Sequence, residues 1–560
     1  MRSLIDLQIL FRVALLALFG VSQLELRMSA AIAEDDIRFT LRYREPVSED
    51  SVRFHRLSLE EDWKPSKTAV IVCDMWDRHH CLNAVRRVTE LAPRINAFCS
   101  ELRYQGATII HAPSSCVEAY AEHPARIRTK AVKRATEFPA DIASWCDQIP
   151  SEERASYPID QSDGGEDDEA WEHQAWAERL EAEGRDPRAP WKSQVPAIAI
   201  DEARDWISDS GEEIWSILLE EGVQHVILCG VHTNMCVLGR PFGLRRLAAA
   251  EVQVVLARDL TDTMYNPGAW PYASHFTGTD LIVQHIEKYV CPTISSSQVL
   301  GGDDFRFRND DRKRLLVVVA EDEYETADTL PKFAAKHLSQ DFSVEFAWGS
   351  ATNRNEIVGL ERIEEFDGVL ISVRRRALPT WVLEQLQEFV QQGKPVVGIR
   401  TASHAFSLRG EAGPEGTSTW ESWDADVFGG SYSGHHGNDL PVSILVDEPQ
   451  SQLPLPLLKP SGLKVGGSLY KTSPLAPGAR PLFSGSVEGG QPEPMAWTYV
   501  RSDGGRSFYT SLGHKREFVQ PEFEAFLATG ICWANGIEPK SLKDVQLQNQ
   551  RYSAGEGRQR

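Results

Sequence analysis

The sequence predicts an α/β protein made of two doubly wound parallel-sheet domains, and three observations carry that prediction. Short apolar runs alternate with amphipathic stretches, which is how βαβ units look in sequence. They do so in two separate series, with a polar, charged segment at residues 300–312 between them. The chain of 560 residues also exceeds what one hydrophobic core holds.

In the first series the pattern predicts strands at 68–73, 108–111, 225–229 and 252–257, with helices at 88–104, 212–221 and 234–250. In the second it predicts strands at 314–320, 342–347, 368–373 and 394–399, with helices at 326–338, 355–365 and 379–392. The first domain is therefore placed at 60–299, a linker at 300–312, the second domain at 313–540 and a polar tail at 541–560. Between 112 and 200 the alternation fails, and an acidic, glycine-containing patch at 163–172 precedes a helix expected at 175–183. That stretch reads as an insertion over the first sheet: a lid, an oligomer contact or a solvated acidic loop.

The chain starts Met1-Arg2-Ser3, continues with an apolar run from Ile9 to Val21 broken by Arg12, and reaches Ala31-Ile32-Ala33 before Glu34. A basic start, a short apolar core and an A-x-A site predict a secretory signal over residues 1–33, cleaved after Ala33, and hence an exported protein, periplasmic or secreted. No later run is long enough for a membrane-spanning helix.

An apolar share of 42% and a charged share of 25% fit a soluble globular protein. The formal charge of −22 repels polyanions, which argues against nucleic acid and anionic membranes as partners. A small-molecule substrate remains, and homo-oligomerisation stays open. Nine cysteines with no C-x-x-C pair form neither a zinc ribbon nor a disulfide framework, and an odd number leaves at least one thiol without a partner in the chain.

Two strand ends carry the chemistry of the first domain. Asp74 follows the run 68–73 at the strand's carboxyl end, where α/β sheets place their ligand crevices. Cys236 lies in Gly230-Val231-His232-Thr233-Asn234-Met235-Cys236-Val237, after the strand at 225–229 and at the start of a predicted helix. A helix N-terminus favours a thiolate, and Asp74 could act as its base and later as a proton donor.

Val72-Cys73-Asp74-Met75-Trp76-Asp77 after one strand, paired with Gly230 to Val237 after another, resembles the isochorismatase-like cysteine hydrolases, a superfamily that includes nicotinamidases, over residues 67–299. The resemblance implies that Asp74 is the catalytic aspartate and Cys236 the nucleophile. It also implies that the amides of Thr233, Asn234, Met235 and Cys236 form an oxyanion site beside His232, and that a non-proline cis peptide falls near Val231-His232. The family's third catalytic residue is a lysine; here the nearest cation in the corresponding stretch is Arg204, with Lys192 a weaker candidate. Nicotinamidases bind a metal through a D-x-H motif, but the matching place reads His111-Ala112-Pro113. No cofactor is certain, and a divalent metal stays open, with Asp77, His79 and His80 as weak candidate ligands.

In the second domain, the strand at 368–373 is followed by Arg374-Arg375-Arg376, and Gly393 to Ile399 runs into the turn Arg400-Thr401-Ala402-Ser403-His404. With Phe428 to Tyr432, His435-His436 and Phe508 to His514, this resembles the ThuA-like domains, relatives of class I glutamine amidotransferases, over residues 314–539. Those amidotransferases place a cysteine nucleophile where Arg400 and Thr401 stand, so glutaminase chemistry is not expected. The crevice would gather Arg400, His404, His435, His436 and His514, a set suited to a polyol, a carboxylate or a metal.

Two functions remain open. One is an exported hydrolase acting on a small amide or related C–N or ether bond. The other is a catalytically inactive, carbohydrate-associated binding protein that uses the ThuA-like crevice.

Overall fold

The computed structural model describes residues 36–446 and 462–538; the expected signal segment at 1–33 and tail at 541–560 lie outside them. The first sheet contains β1 (Ile37–Pro46), β2 (Phe54–Trp63), β3 (Thr68–Cys73), β4 (Thr108–Ala112), β5 (Trp206–Ile207), β6 (His225–Val231), β7 (Gln253–Asp262) and β8 (Thr293–Ile294). Its order is β2-β1-β8-β7-β6-β3-β4-β5. The strands from β8 to β5 run parallel, while β1 pairs antiparallel with both β8 and β2. Every residue of β3 is buried, as a strand covered on both faces requires. From β3 the chain moves to β4 on one side and later returns to β6 on the other. The switch point of the sheet therefore lies between β3 and β6, and a crevice opens there.

The second sheet is built from β9 (Lys313–Ala320), β10 (Phe342–Gly349), β11 (Ile357–Val358), β12 (Gly368–Val373), β14 (Val396–Ile399), β17 (Ser443–Val446), β19 (Ala479–Ser486), β20 (Glu493–Val500) and β21 (Arg506–Thr510). Two short ribbons, β13 (Leu378–Pro379) with β15 (Thr417–Ser418) and β16 (Gly434–His435) with β18 (Tyr470–Lys471), sit outside it. The order β11-β10-β9-β12-β14-β21-β20-β19-β17 has a parallel centre from β10 to β21 and an antiparallel wing. Both units are thus doubly wound around parallel strands, with antiparallel edges the alternation did not reveal.

Two predicted helices take another form. The stretch at 234–250 breaks into a π turn, Thr233–Val237, and a short helix, Leu244–Ala249, because Pro241 cannot donate to a continuing ladder. The stretch at 355–365 becomes β11 and a 3-10 turn, Leu360–Glu365, separated by Gly359 at φ 104°.

The segment at 300–312 lies against the first unit. Phe305 and Phe307 pack on its core, and the Phe305 amide donates to Asp259. Arg312 donates to Asp280 and Thr277 on the helix His275–Tyr289. Between the units, Arg44 on β1 donates to Glu287 at 2.9 Å and to Glu345 on β10 at 2.6 and 2.7 Å. Arg56 on β2 adds a bond to Glu365 at 2.5 Å. Within the described residues no helix is long and apolar enough to cross a membrane.

Candidate active site

Asp74 leaves β3 with φ 45° and is fully buried. That turn aims its carboxylate across the switch point rather than along the strand. Oδ1 accepts from the Ser114 amide at 2.7 Å and Oδ2 accepts from Arg240 Nε at 3.0 Å, and the Cys236 thiol is close enough to interact with the same carboxylate. Burial pushes Asp74 up, against the pull of Arg240, Ser114 and the thiol.

Cys236 reaches this point from the other side of the switch. Strand β6 ends at Val231, the Val231-His232 peptide is cis as the resemblance implies, and the π turn follows. Cys236 is only 8% exposed. Burial pushes its thiol well up and the Asp74 charge adds to that, while Arg240 and the His232 amide pull the other way. The thiolate expected from a helix N-terminus is therefore outweighed at rest, because a single π turn offers little dipole and a carboxylate stands against the sulfur. The resting pair is a thiol beside a carboxylate.

Arg204 is not at this cluster. Its side chain is 59% exposed and pairs with Asp201 at 2.7 Å, three residues away. Lys192 is exposed and donates to the Gly184 carbonyl. The cation beside Asp74 is Arg240, four residues after Cys236, half-buried and steadied by Trp145 of the insertion, whose ring lies 5.4 Å from the guanidinium carbon. A spacing of four puts both residues on one side of a helical turn, which is the sequence signal that would have found it.

The oxyanion candidates divide by atom. The Thr233 hydroxyl bonds to Thr261, and the Asn234 side chain is spent on Gln161 and Met264, so these side chains hold the turn in place. In the backbone of the turn, the Met235 and Val237 amides already donate to the His232 carbonyl, so the Thr233, Asn234 and Cys236 amides are the candidates left for a substrate oxygen. Met235 and Asn234 border a cavity of about 460 Å³ together with Trp145, Tyr157 and Gln161 of the insertion, but Cys236, Asp74 and Arg240 do not line it. His232 is buried, its pKa lowered by burial to about 3, and its Nε2 has no partner. Neutral and unbonded, it is free to meet a ligand.

Asp77, His79 and His80 do not converge as metal ligands. Asp77 accepts from Arg185 and from the Lys192 and Ser193 amides, which ties the insertion to the β3 loop. The His79 ring stacks with Trp76 and Trp191, and His80 turns to Glu166 at 3.2 Å. The acidic patch is used structurally as well. Asp168 accepts from the amides of Leu82 and Asn83 at the start of the helix Leu82–Tyr104, and Asp167 pairs with Arg87. Cys81, Asp167 and Asp168 lie close enough to share an ion, although these bonds already occupy the two carboxylates.

In the second unit Arg400 follows β14 with φ 46° and is buried. It donates to the carbonyls of Ser468 and Ser511, and the rings of Tyr324 and Tyr470 each lie 4.5 Å from its guanidinium carbon. His404 stacks on Tyr432 at 4.4 Å; burial and the neighbouring Arg375, Arg374 and Arg409 lower it to about 3. His514 meets the edge of Tyr324, and His435 is exposed, 6.5 Å from Tyr470. His436 points away, toward Gly490. The crevice is therefore bound together by Tyr324, Tyr432 and Tyr470, which the reading of histidines alone did not include.

A thiol, a carboxylate and a fixed cation thus stand close together at the switch point of a doubly wound sheet, in a chain with a second α/β unit. The family model described as ThuA, trehalose utilisation, matches residues 314–534, which fall in the second unit. Among solved structures, a ThuA-like protein from Parabacteroides merdae is 18% identical, covering 41% of this chain and 92% of its own, with a TM-score of 0.30. A cysteine hydrolase from Pseudomonas syringae pv. phaseolicola is 17% identical over 42% of this chain and 92% of its own, at a TM-score of 0.26. An isochorismatase family protein from Desulfovibrio vulgaris is 13% identical over 41% and 95%, at 0.23. No curated protein matches the chain.

Proposed function

We propose that the first unit is a cysteine hydrolase that cleaves a small amide or a related C–N or ether bond. The meeting of the Cys236 thiol, the Asp74 carboxylate and Arg240 at the switch point supports this reading. For an amide, Cys236 Sγ forms a bond to the carbonyl carbon as its proton passes to Asp74. Asp74 returns that proton to the departing nitrogen as the C–N bond breaks, leaving a thioester. Water then attacks the thioester, giving one proton to Asp74 and expelling the sulfur, which takes that proton back. Arg240 keeps Asp74 ionised and oriented but, as an arginine, carries no proton itself. The developing oxyanion sits against the amides of the Thr233–Val237 turn.

The test is an amidase screen on the mature protein followed by Cys236→Ala. Turnover should fall by roughly a thousandfold or more, and unchanged turnover would sink the mechanism. We place this chemistry outside the cytoplasm, on the strength of the signal-like segment at 1–33. Mass spectrometry of the native N-terminus should find Glu34 first, and an intact Met1 in the cytoplasmic fraction would refute that.

A second reading is favoured by the tyrosine-walled crevice of the ThuA unit, whose aromatic faces and flanking arginines suit a polyol. On that reading the thiol site is idle and the protein binds carbohydrate. Sugar binding lost in Tyr432→Ala, with no turnover of any amide, would favour it over the hydrolase.

A further inference from the structure

Where the units meet, β2, β10, the helix His275–Tyr289 and the helix Thr326–His337 border a cavity of about 650 Å³. Protein interiors are close-packed, and a space of this size at a domain interface has the dimensions of a small-molecule site. The walls are largely apolar, with Phe54, Trp270, Leu281, Phe346 and Trp348 among them.

The polar groups on this surface are unequally satisfied. Arg44 is held by Glu287 and Glu345, and Asp280 by Arg312 and Ser343. Lys288 makes no ion pair or hydrogen bond among the described residues; its Nζ lies 5.1 Å from the Phe54 ring centroid. Arg53 likewise lies over the Trp348 ring without an ion pair. Both carboxylates near Lys288 are already committed, so the cavity presents an unmatched ammonium to an apolar space. A neutral occupant would leave that ammonium unpaired, and a cation would meet Lys288, Arg44 and Arg53 together.

We propose that this cavity binds a small amphipathic anion, an aryl or alkyl carboxylate, with its carboxylate on Lys288 and its apolar body between Phe54, Trp270 and Trp348. This site is separate from the Cys236 centre and does not rest on the hydrolase reading. Burial lowers Lys288 to about 8, Arg44 adding to the effect and Glu345 and Glu287 opposing it. An anion is therefore held best below that pH and released as the ammonium loses its proton.

Isothermal titration calorimetry of the full chain with 2-naphthoate, and with uncharged 2-naphthalenemethanol as control, tests the proposal. One naphthoate should bind per chain. Lys288→Met should weaken it by about tenfold or more while leaving the alcohol unchanged, and Lys288→Arg should retain it. Leu281→Trp, which fills the cavity, should abolish both. In the wild type, affinity should fall between about pH 7 and pH 9.5, and in Lys288→Arg it should not. Thermal unfolding of each variant checks that it folds. Absence of naphthoate binding, equal binding to Lys288→Met, or binding that survives Leu281→Trp would each overturn the proposal.

Discussion

Asp74 and Arg400 occupy the same kind of place in the two units. Each is the first residue after a central parallel strand, each is buried, and their φ values are 45° and 46°. What surrounds them differs. Asp74 faces a thiol that can give up its proton, with Arg240 held against it. Arg400 turns its Nη1 to the carbonyls of Ser468 and Ser511, leaves its Nε without a partner and is enclosed by two tyrosines. The strand end supplies the crevice in both units, but under the proposed hydrolase function only the side chain at Asp74 keeps a partner it can exchange protons with. At Arg400 the same position serves as a strut.

Breaking the reactive side should have the largest effect. Arg240→Ala should lower turnover of a screened amide by about 100- to 1000-fold, and Arg240→Lys should recover part of that loss because charge survives without the planar fork. Steady-state kinetics decides this, and wild-type rates in Arg240→Ala would mean that Asp74 needs no cation. Breaking the strut is a matter of stability. Arg400→Met strands the Ser468 and Ser511 carbonyls and should cost on the order of 2–4 kcal/mol in denaturant unfolding, with Cys236 alkylation unchanged.

A third change sharpens the comparison within the second unit. Asp424 is half-buried, its sequestered Oδ1 has no partner, and loss of solvent around the carboxyl raises its pKa to about 7 despite the Tyr432 amide. The folded state thus keeps the proton more tightly than the unfolded chain. Stability is highest below the unfolded carboxyl range, declines as pH rises toward about 7, and stays reduced above it. Asp424→Asn should therefore raise Tm by a few degrees at alkaline pH, a gain on the order of 1 kcal/mol that disappears near pH 4. The smallest effect belongs to Arg204. Arg204→Ala should change stability by less than about 0.5 kcal/mol and leave turnover alone, since an exposed pair contributes little.

Much of the parallel framework was legible because buried strands are continuous apolar runs. Thr68–Cys73 and Gly368–Val373 are found with the boundaries the pattern predicts. The β1–β2 hairpin was not legible. Its inward-facing Arg44 and Arg56 read as surface charge until their carboxylate partners, distant in the chain, are brought to them. The positions of Asp74 and Cys236 were visible as two motifs after strands. Arg240 was hidden because the resemblance points to a cation near Arg204, before the thiol-bearing strand, while the fold uses a residue one turn beyond the thiol. The tyrosines of the second crevice come from two loops and the short strand β18, well apart in the chain, and nothing local to any of them announces the others.

The double grip of Arg44 on Glu287 and Glu345 bears on how such a chain can change over generations. A counter-ion shared across a boundary ties two modules into one heritable unit. Recombination at residues 300–312 would leave Arg44 with Glu287 alone and pass on Glu345 without its arginine, so the second half would carry a carboxylate that has lost its counter-ion. The linker looks like a place to cut, but the hairpin beside it makes the two units poor candidates for exchange.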